Sequence, residues 1–319
     1  MTYDKIYLVT GGAGFIGSNF LNKFVPLSPS TLFLNIDLLT AAGDLKNIKV
    51  SEAENYKFFQ TDIRDYEALK KIFEEQRPTH IVHFAAESHV DVSIKNPDIF
   101  IETNIQGTHN LLRLAKEFGV TRYHQVSTDE VYGALGPKDP DFTENSQIQP
   151  NNPYSASKAA ADHFVRAYFK TFGLPITISR CSNNYGPNQD LTKVIPLFLS
   201  KLLKGESVPL YGEGAQRRDW LYVEDHIDAI NLILEKGQIG EVYNVGGGHE
   251  ISNLELTKVL LEATGRDESF IQKVADRPGH DFRYAIDASK IKKDLGWEPK
   301  VSFSEGIKKT LSHYQNLFA

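Results

Sequence analysis

Ile6-Tyr-Leu-Val-Thr10 leads without a break into Gly11-Gly-Ala-Gly14-Phe15-Ile16-Gly17, and a helical pattern follows. Glycines at 11, 14 and 17 let the chain turn tightly, bring backbone N–H groups up to a pyrophosphate, and pack the helix close on the strand. Glycine spacing alone carries little, but the strand before and the helix after supply the context that a dinucleotide loop requires. Asp37 stands 20 residues beyond Gly17, at the end of a second apolar strand. A carboxylate there accepts both ribose hydroxyls and repels a 2'-phosphate, which favours NAD over NADP. In isolation Asp37 reads as a solvated turn acid; its position argues for the ribose. Thr61-Asp62-Ile63 offers a carboxylate for the exocyclic amine of adenine and an apolar side chain for its face, although a helix N-cap explains Asp62 equally well.

Outward from this loop, strand-length apolar runs alternate with helical patterns through the first 180 residues. The predicted strands are Ile6 to Thr10, Leu32 to Ile36, Tyr56 to Gln60, His80 to Phe84, Tyr123 to Ser127 and Ile176 to Arg180. That alternation predicts an α/β fold, a Rossmann-type doubly wound parallel sheet covered on both faces. Beyond Cys181 prolines and glycines become frequent, which suits a smaller C-terminal substrate-binding domain. The expected division is 1–180 for the dinucleotide domain, with about 219–246 returning to it, and 181–319 mainly for the substrate. Ser252-Asn-Leu-Glu255 reads as a capping box opening a helix that ends near Gly265.

With 41% hydrophobic and 24% charged residues, the 319-residue chain has ample material for a globular core. A net charge of -6 without any block of like charges argues against nucleic acid or a membrane surface as the main partner. The single cysteine, Cys181, allows no disulfide within the chain and points to a reducing compartment. Without a signal-peptide pattern or a membrane-length apolar run, a cytoplasmic location is expected.

Tyr154-Ser-Ala-Ser-Lys158 follows Pro153 in a helical stretch, and the i, i+4 spacing puts Tyr154 and Lys158 on one face. An ammonium beside a phenol favours the phenolate, so the pair can take a proton from a hydroxyl while a nicotinamide takes hydride from the same carbon. Ser127-Thr-Asp-Glu-Val-Tyr-Gly133 places Thr128, Asp129 and Glu130 at the end of the fifth strand, where open α/β sheets bind their ligands. Two adjacent acids in a loop are commonly solvated; here they can divide acid and base duties if their surroundings drive their pKa values apart. Asn104 reads as an ordinary polar helix residue. His83 and His89 have no metal-ligand spacing with other His or Cys, so no metal is expected.

Together these residues resemble the extended short-chain dehydrogenase/reductase family over essentially the whole chain. The 127–133 stretch is similar to that of the dTDP-glucose 4,6-dehydratases. So are Ala85-Ala-Glu-Ser-His-Val-Asp91, Arg180-Cys-Ser-Asn-Asn-Tyr-Gly-Pro187, Arg218-Asp-Trp-Leu-Tyr-Val-Glu-Asp-His226, Tyr243-Asn-Val-Gly-Gly247 and Arg277-Pro-Gly-His-Asp281. The resemblance implies an NAD enzyme acting on a nucleotide sugar, with Asn184, Lys193, Arg218, Asn244, Arg277 and His280 on the diphosphate and Pro209 and Tyr211 flanking the base. It implies that Tyr154, steadied by Lys158 and Thr128, takes the O4 proton, that Glu130 takes the C5 proton and that Asp129 protonates the leaving C6 hydroxyl. Val92, Ala41 and Asn188-Gln-Asp190 depart from the family pattern. Other readings are a UDP-N-acetylglucosamine 4,6-dehydratase, a sugar-nucleotide 4-epimerase, which has no use for Asp129 and Glu130, and a non-catalytic dinucleotide sensor. Related enzymes pair through helices matching about 98–118 and 153–172, which implies a homodimer; burial of those helices in the chain's own core is the alternative.

Overall fold

The computed structural model describes residues 3–276 and 281–318. Its main sheet is built from β1 (Lys5–Thr10), β2 (Thr31–Asp37), β3 (Tyr56–Gln60), β4 (His80–His83), β5 (Arg122–Thr128) and β6 (Ile176–Cys181), with Val242–Val245 at one edge. The order is β3-β2-β1-β4-β5-β6 and then Val242–Val245, every neighbouring pair parallel. This is the Rossmann-type sheet expected from the alternating pattern.

Side chains alternate across it and feed two cores. Leu8 and Ile81 turn to one face with Phe73, Leu111 and Tyr123, whereas Val9 and Val82 turn to the other with Phe20, Leu21, Ile227 and Ile230. Because both faces are covered, all seven residues of β2 are buried, which is why it reads as an unbroken run rather than an alternation. The helix α1 (Phe15–Leu27) shares its face with Val223–Lys236, a helix that comes from far down the chain.

The strand order turns back between β1 and β4, and a crevice opens at their C-terminal ends. Over it lies a second body. Its core includes Tyr185, Phe198, Trp220, Leu256 and Tyr314, and its four-stranded sheet comprises Asn183–Tyr185, Arg217–Tyr222, Glu250–Ser252 and Arg283–Tyr284. The capping box forms: Ser252 Oγ accepts from Glu255 N at 3.1 Å, and Glu255 Oε2 accepts from Ser252 N at 2.7 Å. Helix Pro153–Phe172 spans the predicted range, opened by Asn152 and closed by Gly173 at φ 71°.

The continuous helix predicted for 98–118 is instead interrupted. Asp98–Phe100 and Thr108–Glu117 are α-helical, but Ile101–Gly107 winds as a π-helix. Two features mark this wider turn. Gly107 sits so close to Ile63 that a Cβ would lie 2.5 Å from its Cδ1. Asn104 is turned inward to bond a neighbouring loop, and Thr108 Oγ1 donates to the Asn104 carbonyl at 2.6 Å.

Candidate active site

A cleft of about 320 Å³ runs along the ends of β1, β2, β4 and β5. Gly11, Gly14, Phe15, Ile16, Gly17, Asp37, Asp62 and Ile63 line one end, and Thr128, Asp129, Glu130, Tyr154, Lys158, Asn184 and Lys193 line the other. Residues far apart in sequence thus meet in one cavity.

At the glycine end the fit to a dinucleotide is steric. A Cβ on Gly17 would lie 2.3 Å from the Gly11 carbonyl oxygen, and one on Gly11, whose φ is 70°, would lie 2.6 Å from Ala85 N. Asp37 fixes this loop to β2, its two oxygens accepting from Ala13 N at 2.9 Å and Leu39 N at 2.8 Å. Burial raises its carboxyl pKa while those two donors pull it back. Carboxylate oxygens carry further lone pairs, so Asp37 can still receive ribose hydroxyls. Asp62 is held more firmly than sequence suggested: Arg64 Nε and Nη2 grip its Oδ2 at 2.8 and 2.6 Å, and its pKa is lowered by those bonds against the opposing effect of burial.

At the other end β5 stops at Thr128, and Asp129–Tyr132 forms a 3₁₀ turn. Thr128 Oγ1 accepts from Glu130 N and donates to Asp129 Oδ1, both at 3.3 Å. Asp129 is 2% exposed, and its Oδ2 finds no hydrogen-bond partner among the described residues. Burial first, then the carboxylates of Glu130 and Asp219, drive its pKa well above the ordinary value, with Arg218 pulling the other way. Asp129 therefore keeps its proton where an exposed aspartate has lost it.

Tyr154 departs from the expected electrostatics. Burial, then Glu130 and the Cys181 thiol, raise its phenol well above the usual value, and a hydrogen bond with Thr128 lowers it in part. Lys158 is 5% exposed, and its Nζ donates to the Val126 carbonyl at 2.7 Å, so the ammonium is anchored to β5. Burial in turn depresses its own pKa. The protein's groups alone thus do not lower the phenol: burial and the neighbouring acids outweigh the Thr128 hydrogen bond, the one opposing influence.

Asn104 is more than a polar helix residue. Its amide pairs with both main-chain groups of Glu87, at 2.9 and 3.0 Å, and donates to Ser157 Oγ at 2.8 Å, clamping the 85–89 cleft loop to the helix of Tyr154 and Lys158. It lies in the π-wound segment, of which sequence spacing carries no sign. His83 is a buried bridge between Thr10 Oγ1 at 2.6 Å and Thr108 Oγ1 at 3.0 Å.

The residues expected to hold the nucleotide separate into groups. Asn184 and Lys193 face the cleft, Lys193 Nζ donating to Ser88 O at 2.9 Å. Asn244 does not: it is 0% exposed, its Oδ1 accepts from Tyr132 and its Nδ2 donates to the Phe142 and Asp287 carbonyls, so it is a structural tie with no surface for a diphosphate. Arg218 stands behind the cleft lining but close enough for its charge to act on Asp129, its guanidinium bonded to the carbonyls of Arg217, Asp281 and Phe282 and stacked 4.4 Å from the Tyr284 ring. Pro209 and Tyr211 lie on strand Val208–Tyr211, outside the cleft lining. Arg277 and His280 fall outside the described residues. The unusual 188–190 segment both braces and lines the cleft: Asn188 takes a φ of 66°, which asparagine tolerates, and bonds Ser18, and the Gln189 carbonyl accepts from Tyr314, while Gln189 and Asp190 stand on the cleft wall. Val92 is 44% exposed.

Comparison with known proteins agrees with this geometry. The model of the GDP-mannose 4,6 dehydratase family matches residues 8–310. A dTDP-glucose 4,6-dehydratase of Salmonella typhimurium is 46% identical, over 96% of this chain and 92% of its own length. The solved structure of DesIV, a dTDP-glucose 4,6-dehydratase from Streptomyces venezuelae with NAD bound, superposes with a TM-score of 0.93 at 47% identity, covering 98% of this chain and 97% of that one. A UDP-glucose 4-epimerase from Thermotoga maritima superposes with a TM-score of 0.92 at 33% identity, covering 98% and 100%. Fold similarity is thus shared with epimerases, while sequence identity is higher towards the dehydratases. From the family match and the cleft that brings the glycine loop, the carboxyl pair and the tyrosine–lysine pair together, the chain belongs to the GDP-mannose 4,6 dehydratase family.

Proposed function

We propose that this chain is an NAD-dependent lyase that converts dTDP-glucose to dTDP-4-keto-6-deoxyglucose and water. The observation that carries the reading is the carboxyl pair: Asp129, buried so that its pKa is driven up, beside Glu130 in the cleft that holds Tyr154. NAD, when bound against Gly11, Gly14, Gly17 and Asp37, supplies the acceptor for the hydride of C4 and its return to C6. Tyr154 takes the O4 proton, with the Thr128 hydroxyl stabilising the phenolate and Lys158 holding its side of the cleft by the bond to Val126. The resulting ketone acidifies C5, whose proton passes to Glu130. Asp129 gives its proton to the C6 hydroxyl, which leaves as water, and Glu130 returns a proton to C5. An epimerase needs neither acid, and burying a protonated Asp129 would cost it stability without use. Substrate binding at the remote nucleotide, with Asn184 and Lys193 in the cleft, holds the sugar through the three steps.

The path of hydrogen tests the assignment. Deuterium placed at C4 is expected at C6 of the same molecule, without crossover in a mixture of labelled and unlabelled sugar, and reaction in D2O puts solvent deuterium at C5. Label kept at C4 or lost to free cofactor refutes it.

The same reading extends to assembly and location. Residues 1–180 form the dinucleotide domain, and the expected return of 219–246 is narrower: Val223–Lys236 packs on its sheet and Val242–Val245 pairs with β6, whereas 219–222 belong to the strand Arg217–Tyr222 of the second body. The protein is a homodimer, supported by Ile101, Phe164 and Phe172, which are 55%, 41% and 49% exposed on and beside the Pro153–Phe172 helix; a monomer in light scattering at micromolar concentration refutes this. It works in the cytoplasm, supported by one buried free cysteine; among the described residues no helix is long and apolar enough to cross a membrane.

A further inference from the structure

His226 lies on Val223–Lys236, is 0% exposed, and takes no part in the chemistry above. Its Nδ1 stands 2.8 Å from Asn184 Oδ1, and its Nε2 is buried with no hydrogen-bond partner among the described residues. Two contacts fix where the protons are. Asn184 is 2.9 Å from the Ser182 carbonyl oxygen, which only accepts, so Nδ2 faces it and Oδ1 faces the histidine. Oδ1 also only accepts, so His226 Nδ1 carries the ring proton. The opposite tautomer would bury an unpaired Nε2–H and set two acceptors against each other, which costs more than leaving a lone pair alone. Burial holds the imidazole pKa down to about 3, so the ring is neutral and this arrangement persists across physiological pH.

Asn184 presents its amide to the cleft on strand Asn183–Tyr185, next to Cys181. Its Nδ2 donates to Ser182, and the amide also interacts with the Cys181 sulfur, a weak acceptor that a phosphate oxygen can displace. An asparagine amide left to itself flips between two orientations of nearly equal energy, and in the wrong one it would turn a carbonyl oxygen on an anion. The geometry points to His226 as a positioning residue that locks the Asn184 amide with its N–H group toward the diphosphate of the substrate. This rests on the reading of Asn184 as a nucleotide-sugar contact.

The test is a double-mutant cycle on the purified enzyme, reading dTDP affinity by calorimetry together with KM and kcat for dTDP-glucose. H226L removes the donor and is expected to weaken dTDP and raise KM about fivefold to tenfold, the size of one hydrogen bond to a charged ligand's contact, with kcat within about twofold. H226N, whose amide N–H reaches the place of Nδ1, is expected to restore both to within about twofold of the parent. N184A weakens dTDP, and the N184A/H226L double variant is no weaker than N184A alone. Normal dTDP affinity in H226L, or a further full loss in the double variant, overturns the role of His226. Unchanged dTDP affinity in N184A is the separate result that removes Asn184 from the substrate site and His226 with it. Should H226L not fold, H226Q takes its place, because its longer arm carries the amide past Nδ1 and is expected to give the same loss.

Discussion

Replacing Asp129 by asparagine should make the protein more stable and less active, and the stability gain should grow with pH. A carboxyl whose folded pKa is raised binds its proton more tightly in the folded than in the unfolded state. Stability is therefore lost as pH rises from the ordinary carboxylate value of 3.8 up through the raised one. One such proton sets a ceiling of about 1.4 kcal/mol per pH unit. An asparagine neither titrates nor carries charge, so it removes this slope, while the bulk of the side chain is kept. As pH rises from the ordinary carboxylate range the advantage of D129N should widen, by no more than that ceiling and by less where Glu130 beside it shares the titration. At about 2 °C per kcal/mol for a chain of this size, thermal scans in two buffers resolve it. A gap that is the same at both pH values, or a variant that melts lower at pH 8, would refute the argument that Asp129 is buried as the neutral acid.

Tyr154→Phe should lose several orders of magnitude in turnover while dTDP binding survives, since its hydroxyl, bonded to Thr128 in the cleft, is the group that takes the O4 proton; near-normal turnover would show that another group does so. Glu130→Gln should block C5 deprotonation but not oxidation, so reduced nicotinamide absorbance near 340 nm, a general chromophore property of the order used for any such cofactor, builds up on adding dTDP-glucose; silence with intact binding places Glu130 earlier. D129N should slow water loss less than E130Q slows the reaction, because solvent replaces an acid more readily than a placed base. Gly17→Ala, with its Cβ 2.3 Å from the Gly11 oxygen, should cut NAD affinity at least tenfold by calorimetry.

Much of this site was legible because the relevant physics is local. The strand–glycine–helix run, the carboxylate closing β2 and the i, i+4 pair depend on neighbours in sequence, and so do the helix caps at Asn152 and Ser252. What was missed depends on tertiary surroundings. Asn104 is a clamp within a π-wound segment in which Gly107 leaves room for Ile63, a neighbour brought up by another part of the chain. Asn244 sits in a motif-like stretch, yet it faces inward from a sheet-edge strand, where Tyr132 and two carbonyls absorb its amide. The sign of the Tyr154 shift follows from burial and from acids brought in by another element, which helical spacing to Lys158 does not reveal.

The placement of Val242–Val245 against β6 also bears on how the protein is made. β6 ends at Cys181, and its outer edge is paired only when residue 245 exists. At about 5–20 residues per second, the roughly 60 residues in between keep the growing chain on the ribosome for about 3–12 s with that edge open. Ile176 and Ile178, each 1% exposed in the finished molecule, belong to the strand left waiting. An unpaired apolar edge invites pairing with another chain, so nascent molecules in this interval need shielding. A fragment ending at residue 180 stays in that state for good and is expected to aggregate where the full chain does not.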